Sequence, residues 1–272
     1  MLHSIPAVAP SAPCFTRARA AAGPFTIGYA AFEAGDGHPV PHLLLPQNFP
    51  VLILDFDTGR ALLTGPRAAS ASAGATTWGR GVSVGLTPGG AALLAEMPIS
   101  EISGRTVEVD LSWATHLAEL PSWAARFAWL DTRFSPRGDA RFSPRGDARF
   151  SLRGDARWSP SEVVTTAWWR LQRTPRVSDV ATALGVPRRR LERDFRRQIG
   201  LAPGSVARTA RLQRSLTALL RGAPPAAAAV TGGFADQPHL TRTMRDLVGL
   251  TPAAFRAFVQ DLTPARSVPS GA

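Results

Sequence analysis

The chain contains no lysine, a single cysteine and no long apolar run. One thiol, Cys14, excludes a disulfide framework and any cluster of several cysteines around zinc or iron–sulfur. It also argues against an alkyl-transfer repair enzyme, whose chemistry needs a set of activated thiolates. No stretch reaches the roughly 18–20 consecutive apolar residues that span a bilayer, so no membrane partner is expected. The opening residues combine Pro6, Pro10, Pro13 and Pro24 with neither a basic start nor an unbroken apolar stretch, unlike a signal peptide. Residues 1–22 therefore read as an unstructured tail and the chain as cytoplasmic.

What is present is enough for about two domains: 272 residues, 44% of them hydrophobic, against a rough prior of ~150 residues per domain. The 24 glycines and 24 prolines add loops and linkers to those cores. All 31 basic residues are arginine and the net charge is +11. Coding bias explains the choice of arginine over lysine as readily as selection does, but the distribution is uneven. Residues 1–120 hold 6 arginines against 9 acids, 121–160 hold 8 against 4, and 161–272 hold 17 against 7. A basic back third joined to a mildly acidic front fits a polyanionic partner, because clustered arginines gain by displacing counterions from phosphates.

The front half reads as short strands, over Phe25–Phe32, Leu43–Leu45, Val51–Phe56 and Val82–Leu86, separated by Gly, Pro and Asp. Thr87-Pro88 reads as the cap and first residue of a helix through Ala95, since proline lacks the amide that a first turn leaves unpaired. Helices are also expected at Trp113–Leu120 and Ser122–Phe134, the second with Trp123, Phe127, Leu130 and Phe134 on one face. The octapeptide Phe134-Ser-Pro-Arg-Gly-Asp-Ala-Arg141 recurs at 142–149, and again at 150–157 with Leu152 for Pro. It is too short and too broken by Pro and Gly for a solenoid and reads as a duplicated linker, 135–160.

From Ser161 the period becomes helical. Ser161 caps a helix with Val164, Ala167, Trp168 and Leu171 inward. Ser178 is expected to cap a short helix with Val180, Ala181 and Leu184 inward, Gly185 makes the turn, and a second helix sets Leu191, Phe195 and Ile199 inward at intervals of four. That is a helix-turn-helix, with small Ala181 where the helices cross closely. A helix over Pro203–Leu220, with Leu212, Leu216, Leu219 and Leu220 apolar, leads to a second unit. There Pro225–Val230 is followed by a Gly232-Gly233 turn and a helix capped by Asp236, with Leu240, Met244, Leu247 and Val248 inward. This back third is expected to build its own core.

Two segments resemble AraC-type transcriptional regulators. Gly233-Phe-Ala-Asp-Gln-Pro-His-Leu-Thr-Arg242 with Gly249-Leu-Thr-Pro-Ala-Ala-Phe-Arg256 is similar to their signature, and Leu184–Phe195 to their first helix-turn-helix. More weakly, Val82–Leu94 looks like a sensor segment of some of them. The resemblance implies an α+β protein, with a β-rich sensor or dimerisation domain at 23–134, an all-α DNA-binding domain of two units at 161–262, and a tail at 263–272. It implies sequence-specific binding of double-stranded DNA. A small-molecule effector, RNA polymerase and a second copy of the chain are the further candidate partners.

Matched to the motif, the base-reading positions are Arg189, Glu192 and Arg193 on the first recognition helix, with Arg196 and Arg197 on the same outward side. On the second they are Gln237, Pro238, His239, Thr241 and Arg242. The chemistry agrees for most: arginine pairs bidentately with guanine, glutamate accepts from cytosine, glutamine pairs with adenine. Pro187 stands where a serine cap is usual, Pro238 has no side-chain donor, and Pro225 and Ala228 replace larger apolar residues, so unit two is expected to be looser and less specific. His38 and His42 with Glu33 do not match a ligand spacing. No metal, cofactor or catalytic residue is expected, and the rival reading is non-specific, charge-driven nucleic-acid binding.

Overall fold

The computed structural model describes residues 4–6, 15–20, 24–33, 40–70, 77–134, 158–174 and 176–262. Residues 135–157 of the linker expected at 135–160, the tail expected at 263–272, Cys14 and His38 lie outside them. The front half is built on a six-stranded antiparallel sheet. Its strands are β2 (Phe15–Ala20), β3 (Thr26–Glu33), β5 (Val51–Asp55), β6 (Ala61–Thr64), β8 (Arg80–Leu86) and β9 (Thr106–Glu108), ordered β2-β3-β8-β5-β6-β9. A smaller sheet has the order β1 (Ser4–Pro6), β4 (Val40–Leu44) and β7 (Thr77–Trp78). The four strands expected from sequence are all present, with ends shifted by a few residues. Within the tail expected at 1–22, the described segments are strands: Ser4–Pro6 pairs with Leu44–His42 and Phe15–Ala20 with Glu33–Gly28. The physical reason is that β3 would otherwise be an edge with a row of unpaired backbone groups, and the upstream segment supplies their partners.

The large sheet is apolar on both faces. Tyr29, Ala31, Leu52, Leu54, Leu63, Val82 and Val84 pack against α1 (Pro88–Ala95), α2 (Ala114–Glu119), α3 (Trp123–Arg133) and a 3-10 turn at Ile99–Ile102. Thr87 caps α1 as expected, its Oγ1 accepting from the Gly90 amide at 3.1 Å. Phe127, Leu130 and Phe134 are buried, and Phe127 stacks on Tyr29 with ring centroids 6.0 Å apart. Val51, Ile53 and Leu62 look out from the opposite face, and they belong to the core of the helical half. This explains why β5 reads as an unbroken apolar run rather than an alternating one.

The helical half contains α4 (Glu162–Leu171), α5 (Val177–Ala183), α6 (Arg188–Gln198), α7 (Pro203–Leu220), α8 (Pro225–Gly232), α9 (Gln237–Val248) and α10 (Pro252–Leu262). Together with the sheet it makes an α+β molecule, β-rich at the front and all-α behind. The back third does not complete its core alone. Leu44, Phe49, Val51, Ile53 and Leu62 join Val164, Trp168, Leu191, Phe195 and Val206 in one buried cluster, and Leu45 enters the cluster of Leu212, Leu216, Leu240, Met244 and Phe255.

The connecting piece is the chain on either side of the β5–β6 hairpin. Gln47 and Arg67 pair through their backbones, extending the hairpin toward the helices. The Trp168 indole N–H donates to Asn48 O at 2.9 Å, and Asn48 Nδ2 donates to Gln172 Oε1 at 2.9 Å and Val206 O at 3.2 Å. Gln213 Nε2 donates to Pro46 O at 2.7 Å, and the Ser70 amide to Leu247 O at 2.7 Å. The Trp168 and Asn48 groups are buried and would be left unpaired if the halves merely touched, so the contact is specific in its geometry.

Candidate nucleic-acid interface

Unit one is α5 and α6. Val180 and Ala181 are buried, Leu184 half-buried, and Gly185 makes the turn at φ +63°. Two local expectations differ. Ser178 lies inside α5, whose N-cap is Arg176, and its hydroxyl bonds the Asp179 carboxylate instead of capping. Pro187 is the N-cap of α6 and supplies no side-chain bond. A cap is worth about 1 kcal/mol, which the burial of Leu191, Phe195 and Ile199 exceeds several-fold at roughly 1.5–3 kcal/mol each.

With 3.6 residues per turn, α6 sorts its charges into three strips. Arg189, Arg193 and Arg196 project opposite the buried Leu191 and Phe195. On one flank Arg188 Nε donates to Glu192 Oε1 at 2.9 Å. On the other flank Arg190 and Arg197 lie beside Asp194. Arg189, Arg193, Arg196 and Arg197 are exposed and Glu192 half-buried. Arg189 and Arg196 have no carboxylate partner among the described residues, so their guanidiniums are open to an external anion. Arg197 also borders an open cleft formed with Pro98, Trp158, Ser159, Ser161 and Gln198.

Unit two is α8 and α9. Asp236 caps α9, accepting from the His239 amide at 2.7 Å. Gln237, Pro238 and Arg242 are exposed on its outer side, His239 and Thr241 half-buried. The His239 ring stands edge-on to Phe234 with centroids 5.2 Å apart, so this histidine is held by packing as well as presented. The alanine-rich α8 is closely packed, contrary to the expected looseness. Ala228 and Ala229 are fully buried, and Ser215 Oγ of α7 donates to Ala228 O at 2.8 Å. A Cβ on Gly232 would overlap Ser215 Oγ and sit 2.8 Å from the Phe234 ring. Small residues are therefore what allow α7 and α8 to approach. Of the apolar residues of α7, Leu212, Leu216 and Leu219 are buried and Leu220 is exposed at its end.

Sequence reasoning missed two arginines of α7 that serve the ends of neighbouring helices. On α7, Arg214 Nη1 donates to Gln172 O just beyond the end of α4, and its Nη2 to Gly232 O at the end of α8, 3.2 Å away. Arg211 Nη2 donates to Gly233 O at 2.6 Å while its guanidinium lies 4.4 Å from the Phe234 ring centroid. Both serve carbonyls at helix C-termini, which lack intrahelical donors and carry the negative end of the helix dipole. Burial pushes both guanidiniums below their usual pKa, with a smaller push from the neighbouring arginine. Their spacing of three along α7 was readable in the sequence; the carbonyls they serve were not, because backbone acceptors leave no residue-type signal.

Among the described residues no helix is long and apolar enough to cross a membrane, and no group of three or more His, Cys, Asp or Glu side chains is placed to hold a metal ion.

Residues 180–257 match the model of a helix-turn-helix domain family. No curated protein matches the chain. Among solved structures, it is similar to an AraC-type DNA-binding domain-containing transcriptional regulator from Chromobacterium violaceum, with 28% identity, 39% of this chain and 94% of that one covered, and a TM-score of 0.33. It is also similar to a probable AraC family transcriptional regulator from Rhodopseudomonas palustris, with 26% identity, coverage of 38% and 100%, and a TM-score of 0.32. ToxT from Vibrio cholerae aligns over 90% of this chain and 98% of its own, at 12% identity and a TM-score of 0.42. The helical half of the chain thus carries a helix-turn-helix domain, over residues 180–257.

Proposed function

We propose that the chain reads a specific DNA sequence through both units, with Arg189, Glu192 and Arg193 of α6 and Gln237, His239, Thr241 and Arg242 of α9 contacting base edges, while Arg196 and Arg197 engage phosphates. The observation that carries this reading is the outer face of α6. It presents open guanidiniums beside a half-buried glutamate on a helix whose opposite face is fixed in a core. A helix presented in this way enters a major groove, and two such helices on one rigid connector read successive groove faces about 34 Å apart. In vitro selection from a random duplex pool, followed by affinity measurement on the winner and on unrelated DNA, tests it. A regulator discriminates by about 10³ or more. A ratio near unity with strong salt dependence would establish charge-driven, non-specific binding in its place.

The front half is proposed to make this binding responsive to an effector. The support is the shared core: residues 44–50 join the core of unit one through Phe49 and that of unit two through Leu45, so a rearrangement of the β5–β6 hairpin is felt by both. A ligand acts here only to the extent that it binds one arrangement of the halves better than another. Screening metabolite pools for compounds that shift both the melting temperature and DNA affinity tests the link; ligands that stabilise the protein without altering DNA affinity would refute it.

A further inference from the structure

We propose that Asp194, which no base or phosphate contact requires, sets the specificity of the first recognition helix by holding three of its arginines; the inference rests on α6 being a DNA-reading helix. Asp194 lies on the border between the buried and outward faces of α6, and its side chain is only 13% exposed. Around it stand Arg190, whose Nε is 3.6 Å from Oδ2, and Arg193 and Arg197, whose Nε and Nη2 are 3.4 Å and 3.7 Å from Oδ1. These arginine side chains are 60%, 70% and 71% exposed, so a largely buried carboxylate anchors three groups that reach into solvent. Among the described residues Asp194 bonds no other element, which leaves the arginines as its polar partners.

The arrangement has two effects on binding to DNA. Arg193 is approached by the carboxylate at Nε, the inner nitrogen, so both terminal amino groups stay free for the O6 and N7 of a guanine. The carboxylate thus restricts the side chain to an orientation suited to base reading. Arg190 and Arg197 sit on the flank, where phosphates are met, and the same negative charge offsets theirs. A phosphate of any sequence must therefore compete with Asp194 for them, and the sequence-independent share of the affinity is reduced. Specificity rises from both sides: the base contact is pre-oriented and the background is lowered.

Asp194→Asn keeps the shape and removes the charge, and it separates this role from a structural one. In the full-length protein, affinity for unrelated duplex should rise about tenfold at low salt, with the slope of log K against log[salt] steeper by about 0.9 for each phosphate gained. Preference at the base pair read by Arg193 should relax on the selected site. Asp194→Glu, which retains the charge, should restore the wild-type slope. An Asn variant with an unchanged salt slope and an unchanged ratio of specific to unrelated affinity would overturn the proposal. So would equal losses on both DNAs with a lowered melting temperature, since a misfolded helix binds everything less well. Arg193→Ala in the same assay tells the two readings apart. If it weakens selected binding while Asp194→Asn changes nothing, only the role of Asp194 falls; if neither matters to any DNA, α6 is not the reading helix.

Discussion

The two helix-turn-helix units share a topology and are stabilised differently. Unit one is held by bulk: Trp168, Phe195 and Leu191 meet Phe49, Val51 and Ile53 of the front half. Unit two is held by closeness, since Ala228, Ala229 and Gly232 let α8 lie against α7, with Phe234 and the front-half residues Leu45 and, at the edge, Leu43 closing the core. Charge divides the same way. Helix α6 carries six arginines and two acids, whereas α9 carries Arg242, Arg245 and one acid, Asp246, which pairs with Arg208 at 3.0 Å. One fold thus admits a large-residue and a small-residue solution, and the more highly charged helix is the one rooted more broadly in the front half.

The sharpest way to break this contrast is to empty each core from its far side. Trp168→Ala should destabilise the protein by roughly 3–5 kcal/mol and Leu45→Ala by about 2–5 kcal/mol. Leu45 is distant in sequence from unit two, so hydrogen exchange should find α8 and α9 loosened by a change in the front half. Unaltered protection there would mean that unit two closes without it. Trp168→Phe keeps most of the volume and strands Asn48 O, at a cost of about 1–3 kcal/mol in thermal or urea unfolding.

Next in size is the effect of close packing. Gly232→Ala should cost about 1–3 kcal/mol through overpacking against Ser215 and Phe234. Gly185→Ala, at a turn with open space around it, should cost only the left-handed strain of about 1–2 kcal/mol. Equal costs on denaturation would show that α8 retreats easily and that its small residues are incidental. For binding, Arg193→Ala should lose about 1–3 kcal/mol on the selected site and relax one base pair; uniform weakening across sequences would make Arg193 a phosphate contact. The smallest effect is a difference between units: Arg189→Ala should reduce discrimination more than Arg242→Ala, by about 1 kcal/mol or less. Footprints of equal depth on two half-sites about 10 base pairs apart, with matched losses for both variants, would show the units reading bases equally.

Much of this was written locally in the chain. Leu191, Phe195 and Ile199 at intervals of four, the caps Thr87, Ser161 and Asp236, and the Gly185 turn each depend on neighbours within a few residues, and each is where the pattern put it. The outward placement of Arg189, Arg193 and Arg242 follows from the same period. What the sequence does not show are partners far along the chain. Phe15–Ala20 becomes a strand only because β3 has an open edge, and Phe49 is core because Trp168, which bonds the neighbouring Asn48 from 120 residues away, shares its cluster. Arg67 is a further case: it is 6% exposed where the halves meet, its Nη2 has no hydrogen-bond partner, and burial pushes its guanidinium below the usual pKa. Nothing in its neighbourhood along the chain marks it as a buried cation.

The second apolar face of the large sheet also has a consequence in time. Synthesis proceeds from the N-terminus at about 5–20 residues per second, so Val51, Ile53 and Leu62 emerge on the order of ten seconds before Phe195, which helps to cover them. During that interval the sheet can be complete on its helix-covered side and bare on the other. Pairing so distant in sequence is slow to form, and a bare apolar sheet is a surface on which nascent chains associate. The front half made alone would keep that face exposed permanently, and the yield of the whole protein depends on how quickly the helical half arrives to cover it.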